Sequence, residues 1–85
     1  MIYCCETGRP AELHHVLTRK SRPDLIDEPW NLMPVSREIH GFIHQHGLTR
    51  SSKHFAGVKA WLLNEGWAYD PVMEKWWHEK ATKRF

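Results

Sequence analysis

The chain has 85 residues, 41% hydrophobic and 26% charged, with 12 Lys/Arg against 10 Asp/Glu. That length holds one domain, and the composition excludes a collagenous repeat or a disordered tail. No apolar run approaches the ~18 residues of a membrane span, and the polar start lacks a signal-peptide apolar stretch, so a cytoplasmic protein with no membrane partner is expected.

Residues 11–18 (AELHHVLT) set Leu13, Val16 and Leu17 around two histidines and read as a short strand. Residues 19–30 contain Pro23, Pro29, Asp24, Asp27 and Glu28 and read as an irregular loop. Residues 31–35 (NLMPV) form a short extended segment interrupted by Pro34. Ser36 is the expected N-cap of a helix running to His46, where Gly47 stops it; Ile39, Phe42 and Ile43 fall at helical spacing. Ser51 or Ser52 opens a second helix carrying Phe55, Val58, Leu62 and Leu63, with Gly66 at its end. Asp70-Pro71 opens a third, in the usual cap-then-Pro order, with Val72, Met73, Trp76 and Trp77 as its bulky face. The expected fold class is α+β.

Charge divides along the chain. Residues 1–47 carry 5 basic and 6 acidic side chains, and residues 48–85 carry 7 and 4. The total of +2 does not establish a nucleic-acid partner, but it places the positive charge in the second half. A domain this small buries only about 60–65% of its unfolded surface and often needs a staple. Adjacent Cys4 and Cys5 are a poor one, so the seven histidines point to a metal.

The informative histidines are His14-His15 and His40-x-x-x-His44. Two imidazoles at i and i+4 share one helix face, about 6 Å apart, within reach of one cation. Alone, the pair is weak evidence and reads more readily as two solvated helix histidines. Gly41 stands where a zinc protease needs Glu, which excludes that chemistry. A third ligand, His14, is available if the hairpin folds the strand against the helix. Three imidazoles with open positions describe a catalytic site rather than a closed structural one. Successive strand side chains point in opposite directions, so His15 would stand beside the cation without ligating it. An imidazole so placed suits a general base at neutral pH.

This arrangement is recognisable. Glu12-x-His14-His15, then Asn31 16 residues later and His40-x-x-x-His44 nine further on, resembles the HNH nucleases, also called His-Me finger or ββα-metal nucleases. The stretch AELHHV…PWNLMPVSREIHGFIHQHG is especially similar to the DNase domains of colicin-type toxins. The resemblance covers about residues 5–47. It implies a single domain with a ββα-metal core over residues 1–47: a two-stranded hairpin with an Ω-like loop, closed by the helix around one ion. Residues 48–85 would be two helices packed on it.

The resemblance implies that His14, His40 and His44 bind the metal and that His15 deprotonates the attacking water. Asn31 would hold the loop backbone and the base in place, and Glu12 would orient the His pair or a nearby Arg. The activity implied is metal-dependent hydrolysis of DNA, by nicking or double-strand cutting, leaving 5′-phosphate and 3′-hydroxyl ends. By ligand type, three neutral nitrogens suit Mn²⁺, Ni²⁺, Co²⁺ or Zn²⁺ better than Mg²⁺.

The family often supplies an Arg near the scissile phosphate, and Arg9, Arg19, Arg22 and Arg37 are all candidates. Arg50 and Lys53, with Lys59, Lys75, Lys80, Lys83 and Arg84, would extend the DNA footprint or simply solubilise the helices. The five tryptophans are expected mostly in packing. Compact proteins of this kind resemble those of phages and mobile elements, where they accompany DNA-packaging or DNA-processing partner proteins in the bacterial cytoplasm. Relatives often carry two Cys-x-x-Cys knuckles, but this chain has none and puts Ser36 where a Cys often stands. A structural zinc cluster is therefore not expected, and Cys5-Glu6-Thr7-Gly8 reads as a free-thiol segment. His46, His54 and His78 read as surface residues. Two other functions fit the composition: a metal-stapled DNA-binding module without turnover, and a protein-interaction adaptor using the tryptophan-rich helices.

Overall fold

The computed structural model describes residues 2–82. The fold is α+β. Strands β1 (Glu12–His15) and β2 (Leu32–Val35) form an antiparallel hairpin, joined by a long loop with two 3-10 turns, Pro23–Leu25 and Pro29–Asn31. Helices α1 (Arg37–His46), α2 (Leu48–His54) and α3 (Ala56–Asn64) follow. A second hairpin, β3 (Ala68–Asp70) and β4 (Lys75–Trp77), and a short helix α4 (Glu79–Thr82) complete the described chain. No described helix is long and apolar enough to cross a membrane.

The first hairpin is in register His14↔Met33 and Glu12↔Val35. Paired residues share a sheet face, so His14 and Glu12 point the same way as Met33 and Val35, both fully buried. That face packs on α1. The helix starts where Ser36 Oγ accepts the Ile39 N–H, and ends where Gly47 takes φ +87°, a left-handed value that favours glycine. Ile39 and Ile43 point into the core, and His40 and His44 follow each by one residue. About 100° of helical turn therefore carries the two imidazoles from the core stripe to the edge facing β1.

Val58, Leu62, Trp30 and Trp67 extend the core, with Trp67 Nε1 donating to Trp30 O at 2.7 Å. His78 is buried rather than on the surface: it stacks on Trp30 at 4.1 Å, and its Nε2 bonds Glu65 O at 2.9 Å.

The second half corrects two expectations. The helix expected to open at Ser51 or Ser52 and run to Gly66 begins at Leu48, with both serines inside it, and is two helices, broken at Phe55, which is extended (φ −118°, ψ 111°). The break lets the Glu6 carboxylate accept the Gly57 N–H at the start of α3, with the Gly57 backbone against Cys5 and Glu6. The helix expected from Asp70 is absent. Residues 68–77 form the second hairpin, and Asp70 Oδ1 accepts the N–H of Val72 at 3.0 Å and of Met73 at 3.3 Å, closing a turn. The Asp-Pro pair starts a turn as readily as a helix. Hence Trp76 and Trp77 lie on opposite faces of a strand: Trp76 is half-buried with its Nε1 on Ser52 Oγ, and Trp77 is exposed. No tryptophan-rich helix forms among the described residues. Lys83 and Arg84 lie outside them.

Candidate metal centre

β1 and α1 bring His14, His40 and His44 together. One ring nitrogen from each lies within 4.8 Å of the other two, close enough to hold a metal ion. Ring centroids are 4.8 Å apart for His14–His40, 5.3 Å for His14–His44 and 4.7 Å for His40–His44. Tetrahedral ligation at about 2.0–2.1 Å places donor nitrogens about 3.4 Å apart, so small side-chain rotations would suffice. No other group of three His, Cys, Asp or Glu side chains with this geometry occurs among the described residues.

The donor chemistry fits a cation. His40 Nδ1 lies 2.6 Å from Glu12 Oε1, which can only accept from it when ionised, so Nδ1 carries the proton. In a neutral ring this leaves the His40 Nε2 lone pair directed at His44 Nε2, 3.0 Å away. A carboxylate behind a ligating imidazole fixes the ring and raises its basicity. The hydrogen bond to His40 holds Glu12 below the usual carboxylate range, and attraction to His40 and Arg37 adds to it. His14 is buried, and burial, reinforced by repulsion from the neighbouring imidazoles, pushes its pKa down to about 4. It is therefore neutral, the ligating form, at neutral pH.

His15 lies on the other face of β1, half-buried, with Nε2 3.2 Å from Ile26 O. A carbonyl only accepts, so Nε2 carries the proton, and Nδ1 of the neutral ring has the free lone pair. The loop offering that carbonyl is held by Asn31, which is fully buried. Asn31 Oδ1 accepts the Leu17 N–H at 2.7 Å, and Nδ2 donates to Leu17 O and Leu25 O, each at 3.1 Å. One amide thus joins the exit of β1 to the residue preceding Ile26.

A cleft of about 410 Å³ is lined by Leu13, His14, His15, Thr18, Arg19, His40 and His44. Among the candidate arginines, Arg19 is the one in this lining. Arg22 is engaged elsewhere, bonding Asp24 and, at 2.6 Å, Ala81 O. Arg37 lies near Glu12, and Arg9 lies in the turn before β1. Arg50 and Lys53 are on α2 and line other hollows. Sequence reasoning missed the Ile26 carbonyl and Thr18. A main-chain acceptor leaves no side-chain signature, and Thr18 enters only because the chain turns after β1.

Both cysteines are free, and the turn over residues 5–7 folds back on Cys4. Its Sγ accepts the N–H of Glu6 and of Thr7, each at 3.4 Å. Burial pushes this thiol up, but hydrogen bonds from Thr7, Glu6 and Ser36 outweigh it and hold the pKa near 7. Burial and the neighbouring Cys4 push Cys5 up to about 11. No family model, curated protein or solved structure matches the chain.

Proposed function

We propose that the chain is a metal-dependent endonuclease of the HNH type, its first hairpin and α1 forming a ββα-metal core that hydrolyses DNA phosphodiester bonds. One observation carries the reading. Three imidazoles lie close enough to hold one ion, while His15 lines the same cleft with Nε2 tied to a carbonyl, which makes Nδ1 the acceptor of the neutral ring. A purely structural metal site has no use for that fourth ring.

When bound, a divalent ion supplies Lewis-acid stabilisation to the phosphoryl oxygens and the 3′ leaving oxygen. The chain's own residues do the rest. His15 Nδ1 takes the proton of the attacking water, a contribution of about 10²–10⁴-fold for general-base catalysis. Asn31 positions that ring through the Leu25–Ile26 backbone. Glu12, bonded to His40 Nδ1, would leave Nε2 free to hold the ion, and Arg19, in the lining of the same cleft, would meet the phosphate. Mn²⁺, Ni²⁺, Co²⁺ and Zn²⁺ suit the donor set; Mg²⁺ suits it less.

The test is supercoiled plasmid incubated with protein and each metal in turn. Expected is nicking or linearisation, abolished by chelator and reduced at least about 100-fold in His15→Ala, with metal-induced thermal stabilisation retained. A gel shift without cleavage in every metal would replace this reading with a metal-stapled DNA-binding module. Neither shift nor cleavage would favour the adaptor.

A further inference from the structure

A second surface lies away from the histidine cleft, along α2. Three hollows of about 520, 440 and 360 Å³ open side by side there, and Lys53 lines all three. Arg50 borders two of them and Lys59 the third. None of these three cations is in an ion pair among the described residues. The carboxylate in the linings is Glu74, at the turn of the second hairpin. The walls are aromatic. Phe42 is stacked with His54 at 5.0 Å on one side, and Tyr69 and Trp76, 5.3 Å apart, form the other, with Lys53 Nζ 6.0 Å above the Tyr69 ring.

Unpaired cations set among aromatic rings fit a ligand with both phosphates and flat apolar faces. A duplex hides its base faces in the stack, whereas a single strand offers them. We propose that this α2 groove binds single-stranded nucleic acid, its phosphates on Arg50, Lys53 and Lys59 and a base against the Tyr69–Trp76 wall. The choice of nucleic acid over other polyanions rests on the nuclease reading. The groove would hold strand on the flank of α1 opposite His40 and His44, outside the scissile position.

The experiment reads binding alone. A fluorescently labelled 12-nucleotide thymidine strand, and a hairpin duplex of equal length, are titrated by anisotropy in EDTA, where metal-dependent cleavage is off. A failure of the nuclease reading appears in the plasmid assay, and a failure of this inference appears here. Expected is binding of the strand in preference to the duplex, weakened about tenfold in the Arg50→Ala/Lys53→Ala double variant. Its salt slope should fall by about 1.4, at about 0.7 per lost phosphate contact. Tyr69→Leu should weaken binding about fivefold or more, and Tyr69→Phe should restore it. Circular dichroism confirms folding of each variant. No binding at low salt, equal binding of strand and duplex, unchanged affinity in the double variant, or Tyr69→Leu matching the wild type each overturns the proposal.

Discussion

Asn31→Asp tests how the base is held. The substitution preserves shape and keeps the acceptor for the Leu17 N–H. It replaces the donor that serves Leu17 O and Leu25 O, both at 3.1 Å, by a second oxygen. Two hydrogen bonds are lost at about 1 kcal/mol each, and a carboxylate is left buried against two carbonyls, for about 4 kcal/mol in all. Asn31→Ala strands the Leu17 N–H as well as both carbonyls, at about 1 kcal/mol each, but buries no charge, and should cost less, about 3 kcal/mol. The variants should therefore rank Asp worse than Ala at pH 7.5, in urea denaturation followed by circular dichroism. The introduced carboxyl is disfavoured in its charged form, so its folded pKa is raised above the unfolded ~3.9. Protonation then favours the fold, and the deficit relative to wild type should shrink as pH falls from 7.5 towards 4.5. A cost below about 1 kcal/mol, Ala worse than Asp, or a deficit independent of pH would refute the hydrogen-bonded clasp. If the clasp positions His15, plasmid nicking should fall in both variants under conditions where they remain folded.

Glu12→Gln removes the charge behind His40 while keeping a hydrogen-bond acceptor. Metal affinity should drop about 10–100-fold, read from the metal dependence of the melting temperature; an unchanged dependence would remove Glu12 from the site. In EDTA, His14 makes stability depend on pH. Its folded pKa, about 4 against the ordinary 6.5, lies below the unfolded one, so the unfolded chain binds more protons between those values. Stability should be full above pH 6.5 and decline by on the order of 2–3 kcal/mol as pH falls towards 4, and His14→Gln should flatten that slope. The two glycines that lack a special backbone angle should respond oppositely to alanine. At Gly57 a Cβ would lie 2.7 Å from Glu6 Cα and closer still to Cys5 O, so Gly57→Ala should cost at least about 1–3 kcal/mol. At Gly41, inside α1, a Cβ meets nothing within 4 Å, so Gly41→Ala should gain about 0.5–1 kcal/mol in chemical denaturation.

The parts of the fold written in local signals were legible in the sequence. Ser36 and Gly47 bracket α1 through a side-chain cap and a left-handed stop, both of which depend on residues adjacent to the helix. Period-two alternation through His14-His15 put the two rings on opposite strand faces, and i, i+4 spacing put His40 and His44 on one. Those two rules suffice to bring three imidazoles together once the hairpin closes. The acceptor for His15 was not legible, because the Ile26 carbonyl is placed by a buried amide five residues away along a loop with no periodicity.

The second half was misread because its signals serve two structures. Asp-Pro supplies an N-cap and a first helical residue, but equally the opening of a β-turn, and Asp70 Oδ1 uses its lone pairs on Val72 and Met73 in the turn. What separates the readings is where the bulky side chains go. On a helix, neighbouring Trp76 and Trp77 would stand only about 100° apart, forcing two large rings towards one side. On a strand they alternate, and Trp76 can then pair across to Tyr69 and donate to Ser52 while Trp77 faces solvent. The break at Phe55 has the same character. Residues 51–66 carry a continuous helical pattern, but Glu6 is 51 positions from Gly57, and its carboxylate takes the N–H at the start of α3. Tertiary partners decide both cases, and both shape the α2 groove: the hairpin contributes Tyr69 and Trp76 as one wall, and the break turns the chain at Phe55, beside His54 and Lys53.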